Sequence, residues 1–502
     1  MTRRNLILSG FILLKFVIQY FLIDSGYDLH RDEFLHLDQA NHLAWGYMSV
    51  PPFTSWISYV IKMLGNTVFW VKFFPALFGA LTIVAVWKAV EALEGRLYAL
   101  ILSATCVLFS ALLATNTLYQ PNSFEILCWT TFYLMLIKYF KTENAKWLYL
   151  TALVFSVGFL NKYNIIFPVI GFLPAILLTQ TRKVFAKKEF YIAFVVGLLF
   201  ILPNLVWQYR NHFPVFQHLN ELANTQLVHV ERLDFLKQQL LFFVGALFVI
   251  LSAFYALMFY KPFGKYKVFF WSVIFTLLCF VYFRAKGYYA MGLYPIYIAF
   301  GAVFLENRLS NGRKKYLRPV LMIFPLLFFL LMFRFAFPNK SPERFANDGR
   351  TYRWEDGKNH SIPQDFADML GWQELAIKVD HVCAELPDID HTLILCDNYG
   401  QAGAINYYTK NRKVTAYTFS ADYVNWLQLD RKITDIVLVK ETRYDNDKDR
   451  EKESHLFETI YIADQRINQY AREDTISIYV LKGAKEDINK MIEDMIIKSR
   501  DM

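Results

Sequence analysis

Long apolar runs, most of them about 20 residues, occupy the chain near 5–23, 68–87, 97–115, 124–140, 147–161, 164–180, 190–207, 238–260, 268–284, 289–306 and 317–337. A helix that crosses about 30 Å of hydrocarbon needs roughly 20 mostly apolar residues, so the pattern predicts about eleven transmembrane helices. In lipid every backbone polar group must be satisfied within the segment. These runs are far too long for barrel strands, which leaves helices as the spanning form. A composition of 55% hydrophobic and 18% aromatic residues over 502 residues agrees with lipid as the main solvent. The first run follows Arg3 and Arg4 and lacks a small-x-small cleavage pattern before Asp24, so it reads as a retained anchor.

Connections on the cytoplasmic side collect Lys and Arg. With the N-terminus inside, the cytoplasmic connections contain Lys88 and Arg96, Lys141 and Lys146, Arg182, Lys183, Lys187 and Lys188, and later Lys261, Lys265 and Lys267. The last of them contains Arg308, Arg313, Lys314 and Lys315. The net charge of +9 is therefore a topology signal and calls for no nucleic-acid partner. An odd number of crossings places everything after residue 338 outside the cytoplasm, at the plasma (inner) membrane of the cell.

Pro338-Asn339-Lys340-Ser341-Pro342 ends the last apolar run, and the sequence then turns polar. Short β-branched runs at 392–395, 435–439 and 476–481 alternate with helical stretches such as 364–385. The expected organisation is a transmembrane domain over 1–337, with a first outside loop at 24–67, and an extracytoplasmic α/β domain over 338–502. Cys106, Cys128 and Cys279 fall in the spans as small apolar fillers; Cys383 and Cys396 share the outer domain, where a disulfide is an open alternative.

The loop after the first helix concentrates ionisable groups: Asp28, His30, Arg31, Asp32, Glu33, His36, Asp38 and His42. Burying any of them costs several kcal/mol unless it is paired or used. The plain reading is a solvated loop followed by amphipathic helices. Adjacent Asp32 and Glu33 point in different directions on a helix, so they suit two roles better than one shared proton. A divalent metal is a second reading, because His36 can share a face with either carboxylate and His30 and His42 offer further nitrogens; no compact pattern such as H-E-x-x-H supports it. Other cations fall at the same membrane face: Lys162 beside Tyr163, and Arg284 and Lys286 beside Tyr288 and Tyr289. Each can snorkel to water or hold an anionic head group such as a lipid phosphate.

Together, Arg31-Asp32-Glu33-Phe34, His42 to Tyr47, Pro51-Pro52-Phe53, Leu160-Asn161-Lys162-Tyr163, and Lys286-Gly287-Tyr288-Tyr289 leading to Tyr294-Pro295 resemble the transferases that use polyprenyl-phosphate sugars. That family includes the dolichyl-phosphate-mannose protein mannosyltransferases and the lipid A aminoarabinose transferases. Tyr399-Gly400-Gln401-Ala402 and Tyr407-Tyr408 are similar to the outer domain of the bacterial members. The resemblance implies a GT-C-like fold and transfer of a sugar to a lipid, glycan or protein acceptor. It implies Asp32 as general base, Glu33 as a positioning or metal-binding group, and Lys162, Arg284, Lys286, Tyr288 and Tyr289 around the donor phosphate. It requires no cofactor and leaves a divalent metal open. One departure stands out: relatives often carry an Asp after the Pro in the loop before the fourth helix, whereas this chain has Gln120-Pro121-Asn122-Ser123, with Glu125 one turn further as a substitute. The rival reading is a transporter or flippase of a lipid-linked saccharide, which should show charges near the bilayer midplane and broken helices in matching halves.

Overall fold

The computed structural model describes residues 2–225, 227–411, 413–445 and 450–501. Two compact units emerge: one of residues 1–22, 44–54 and 69–337, the other of 23–43, 55–68 and 338–502.

The first unit is a helical membrane bundle. Every predicted span coincides with a helix: Arg3–Tyr20, Val68–Ala92, Leu97–Leu108, Pro121–Thr142, Lys146–Phe159, Ile166–Leu177, Lys188–Arg210, the pair Arg232–Leu241 and Leu247–Phe259, Lys267–Tyr282, Tyr294–Arg308 and Leu317–Ala336. Among the described residues, five helical stretches are long and apolar enough on their own to cross a membrane, or seven if two bent pairs each count as one span. Leu97–Leu108 and Lys146–Phe159 are shorter. At 1.5 Å per residue, a 12-residue helix such as Leu97–Leu108 rises only about 18 Å.

Two expected continuous spans are interrupted. The first stops at Leu108 and resumes at Leu112–Thr115, with the Ser110 hydroxyl turned back onto the Val107 carbonyl. The second bends by 62° between Leu241 and Val244. At this bend Gly245 faces Pro325 so closely that a Cβ would lie 3.1 Å from its Cα.

The bundle's core lies along Tyr294–Arg308, which is buried over most of its length. Leu317–Ala336, by contrast, buries almost nothing but Pro325 within the protein and offers its apolar surface to lipid. Gly301 lets the core helix approach Leu247–Phe259; a Cβ there would stand 1.9 Å from the Val249 carbonyl oxygen. Buried Glu306 accepts hydrogen bonds from the Arg96 and Ala99 amides at 2.5 and 3.1 Å, capping the N-terminus of Leu97–Leu108 with negative charge.

The second unit contains a small hairpin, β1 (Tyr352–Arg353) with β2 (Asn359–His360), and a five-stranded sheet. Its strands are β3 (Thr392–Cys396), β4 (Ala416–Thr418), β5 (Asp435–Glu441), β6 (Phe457–Ile467) and β7 (Thr475–Ala484), in the order β4-β3-β5-β7-β6. The β3–β4 and β3–β5 pairs are parallel, and β7 is antiparallel to both β5 and β6. Leu393, Ile436, Leu438, Tyr479 and Leu481 form the core of one face together with Ile488 and Ile492 of the last helix. Cys383 and Cys396 are buried free thiols.

Backbone hydrogen bonds stitch the first loop into this unit: Asp24 N–H donates to the Pro338 carbonyl at 2.7 Å, Asp28 to Met369 at 2.7 Å and Arg31 to Asp368 at 3.1 Å. The Asp28 carboxylate in turn accepts from the Trp372 amide at 2.8 Å.

Candidate functional site

The ionisable loop folds into the helix Arg31–Asp38, and a capping box fixes its start. The Glu33 carboxylate accepts the His30 amide at 2.7 Å, and His30 Nδ1 accepts the Asp32 amide at 3.2 Å. These contacts satisfy amides that the first turn would otherwise leave unpaired. Glu33 is fully buried in this role, whereas the Asp32 side chain keeps 36% of its surface exposed. The adjacent acids thus divide their work: one holds the helix, the other faces outward.

Asp32 Oδ1 accepts a hydrogen bond from the Tyr399 hydroxyl at 2.8 Å. Burial alone would push the Asp32 carboxyl up. His30, Arg31, the Tyr399 hydroxyl and His36 together outweigh it and hold the carboxyl below its ordinary value. The group is therefore an ionised carboxylate at neutral pH, as a proton acceptor must be.

His36 is buried, with Nδ1 3.4 Å from Gln39 Oε1, and Gln39 donates to Asp422 at 3.0 Å. Burial lowers the His36 value against the opposing pull of Asp32, so this imidazole is neutral at neutral pH. His42 lies apart from Asp32, stacked on Trp426 at 4.3 Å.

His30, Asp365 and Asp368 bring three ligand-type atoms within 4.8 Å of one another. Their chemistry does not fit a metal well. His30 Nδ1 spends its lone pair on the Asp32 amide, which leaves the proton on Nε2, 3.8 Å from Asp368. Asp368 also sits 3.1 Å from Arg472 and 3.9 Å from Arg31.

The membrane unit holds a second cluster. Lys162 follows the helix Lys146–Phe159, and its ammonium lies 2.7 Å from Asn122 Oδ1 and 3.0 Å from Glu125 Oε2. The rings of Tyr289 and Tyr288 lie 4.6 and 5.5 Å from the same nitrogen. Asn161 anchors the neighbouring backbone by donating to the Pro121 carbonyl at 2.9 Å. The turn bearing the two tyrosines is held by Gln239, which donates to the Gly287 carbonyl at 3.0 Å and accepts from Tyr294 at 3.1 Å.

Lys286 is half-buried at the start of that turn. Arg284 is exposed in a left-handed conformation (φ 52°) and donates to the Val228 carbonyl at 3.4 Å, away from the Lys162 group. The Trp45-Gly46-Tyr47 motif packs on Lys188–Arg210: Asn204 donates to the Trp45 carbonyl at 2.7 Å, and a Cβ on Gly46 would meet the Trp207 ring at 2.4 Å.

The fold is shared with known proteins. ArnT from Cupriavidus metallidurans, solved bound to undecaprenyl phosphate and in the apo state, matches at a TM-score of 0.62 and 11% identity over 95% of this chain and 98% of that one. This chain has the GT-C fold. The apo oligosaccharyltransferase from Archaeoglobus fulgidus matches the same GT-C fold at a TM-score of 0.50 and 10% identity, over 82% of this chain and 64% of that one. Residues 49–207 match the family model described as dolichyl-phosphate-mannose-protein mannosyltransferase. No curated protein matches the sequence.

In this GT-C chain two site features escaped the sequence reading. The contact of Tyr399 with Asp32 spans 367 residues, and the only trace of it was the Tyr399-Gly400-Gln401 motif itself. The joint hold of Asn122 and Glu125 on Lys162 spans about 40 residues; its trace was the missing Asp after Pro121.

Proposed function

We propose that this chain is an integral membrane glycosyltransferase that moves a sugar from a polyprenyl phosphate to an acceptor hydroxyl or amine on the outer face of the plasma membrane. The observation that carries this reading is Asp32: an ionised, part-exposed carboxylate on a rigid helix start, in the fold of an ArnT solved with undecaprenyl phosphate.

Asp32 removes the acceptor's proton as that atom attacks the anomeric carbon. The bond from that carbon to the phosphate oxygen breaks, and polyprenyl phosphate leaves with the electron pair. Phosphate is a good leaving group, so positive charge suffices and no dedicated acid is needed. An ammonium has three N–H donors. Lys162 directs two of them to Asn122 and Glu125, which orients the third for a phosphate oxygen beside Tyr288 and Tyr289. Lys286, next to this turn, adds a second cation. Arg284, on its exposed turn, serves the lipid surface. Glu33 acts through the helix it caps, and the Arg31 guanidinium stands beside Asp32 as a cationic neighbour.

Purified full-length protein in detergent, given a panel of undecaprenyl-phosphate sugars and lipid, glycan and peptide acceptors, tests the reading. Transfer from at least one donor supports it. Donor-independent transport of a lipid-linked saccharide across vesicles, with no transfer, overturns it in favour of the transporter.

A further inference from the structure

The outer unit supplies Asp32 with a partner that the reaction chemistry alone does not require. Tyr399 is the first residue of the helix Tyr399–Tyr408, and this helix is fixed from several sides. Asn398 caps it by accepting the Gly400 and Gln401 amides at 2.9 and 3.3 Å. Asn398 and Gln401 donate to the two oxygens of buried Glu473 at 2.9 and 2.7 Å, and Arg31 donates to Asn398 at 3.3 Å. The Arg31 guanidinium also lies 4.8 Å above the Tyr399 ring.

The helix reaches Arg31–Asp38 because two of its residues lack a Cβ. One on Gly403 would stand 2.7 Å from Phe34 Cβ, and one on Gly400 would stand 3.1 Å from Arg31 Cβ. The Tyr399 hydroxyl therefore arrives at Asp32 by construction of the helix pair. Burial pushes its phenol well up, so it keeps its proton and serves Asp32 as a donor.

We propose that Tyr399 is the positioning residue for Asp32: its hydrogen bond fixes the plane of the carboxylate and favours its charged form. The inference rests on the reading of Asp32 as the general base. A donor to the charged form favours that form, and Tyr399 shares this task with His30, Arg31 and His36, against the like charge of Asp365.

Tyr399→Phe removes one oxygen and leaves the ring over Phe34's helix. It should lower kcat with little change in donor KM and move the acidic limb of the pH–rate profile upward by about one pH unit. A merely structural tyrosine would lower activity without moving that limb. A second readout needs no turnover: modification of Asp32 by dicyclohexylcarbodiimide, which reacts with the protonated carboxyl, followed by mass spectrometry across pH. The labelling midpoint should rise by about one unit in Tyr399→Phe. An unchanged midpoint overturns the proposal even if the enzyme transfers sugar. A raised midpoint in a protein that transfers nothing upholds the Tyr399–Asp32 coupling and sinks only the transferase reading. Should Tyr399→Phe fold poorly, 3-fluorotyrosine at position 399 keeps the shape and strengthens the donor. It must then lower the midpoint, and no movement overturns the proposal.

Discussion

Lys162 shows how a single residue's environment changes what a substitution means. Alone, Lys162→Ala should weaken donor use by about 10-fold to 150-fold, the worth of a charge-assisted contact of about 1.5–3 kcal/mol. The side chain is also paired with Glu125, whose own side chain is only 6% exposed, so its loss strands a buried carboxylate and lowers stability as well. Lys162→Ala combined with Glu125→Gln should recover thermal stability but not donor use. Near-normal donor kinetics in the folded double variant would move the phosphate site elsewhere. The separate duties of Asp32 and Glu33 were legible in the sequence, because neighbours on a helix face different ways. The capping box that assigns Glu33 its duty was hidden, since histidine is an uncommon N-cap and its geometry is set only once the loop is docked.

Among elements, long apolar periodicity was the readable signal, and each apolar run coincides with a helix of the bundle. The interruptions after Leu108 and Leu241 were not readable, because they arise where the Ser110 hydroxyl turns back onto the Val107 carbonyl, the Gln239 amide reaches the Gly287 carbonyl and Gly245 meets Pro325. Strands β3, β5 and β7 were visible as buried β-branched runs. The strand β4 has only three residues, and β6 is an edge strand with Tyr461 and Ile462 exposed, so neither offered a clear apolar run. Glycine packing gives this scale its test. Gly301→Ala pushes a methyl group into the Val249 carbonyl and should cost about 1–3 kcal/mol or more, read as a lower melting temperature in detergent. Gly10→Ala, with nothing within 4 Å of the new carbon, should leave the melting temperature unchanged or slightly raised. Equal melting temperatures for both variants would contradict the close approach of the core helices.

For the whole molecule, the concentration of positive charge in alternate connections predicts orientation. A single cysteine at position 314 should be protected from a membrane-impermeant reagent in intact cells, while one at position 286 should be labelled. External labelling at 314 with protection at 286 would invert the topology. The catalytic claim is tested most directly by Asp32→Asn, which keeps the side chain's shape and hydrogen-bonding reach while removing its ability to accept a proton. Turnover of purified protein should be compared with wild type using a donor that wild type accepts, with donor binding measured separately. The account predicts a loss of at least about 10²-fold in turnover with donor binding and membrane insertion retained. Transfer by Asp32→Asn at a near wild-type rate would contradict it.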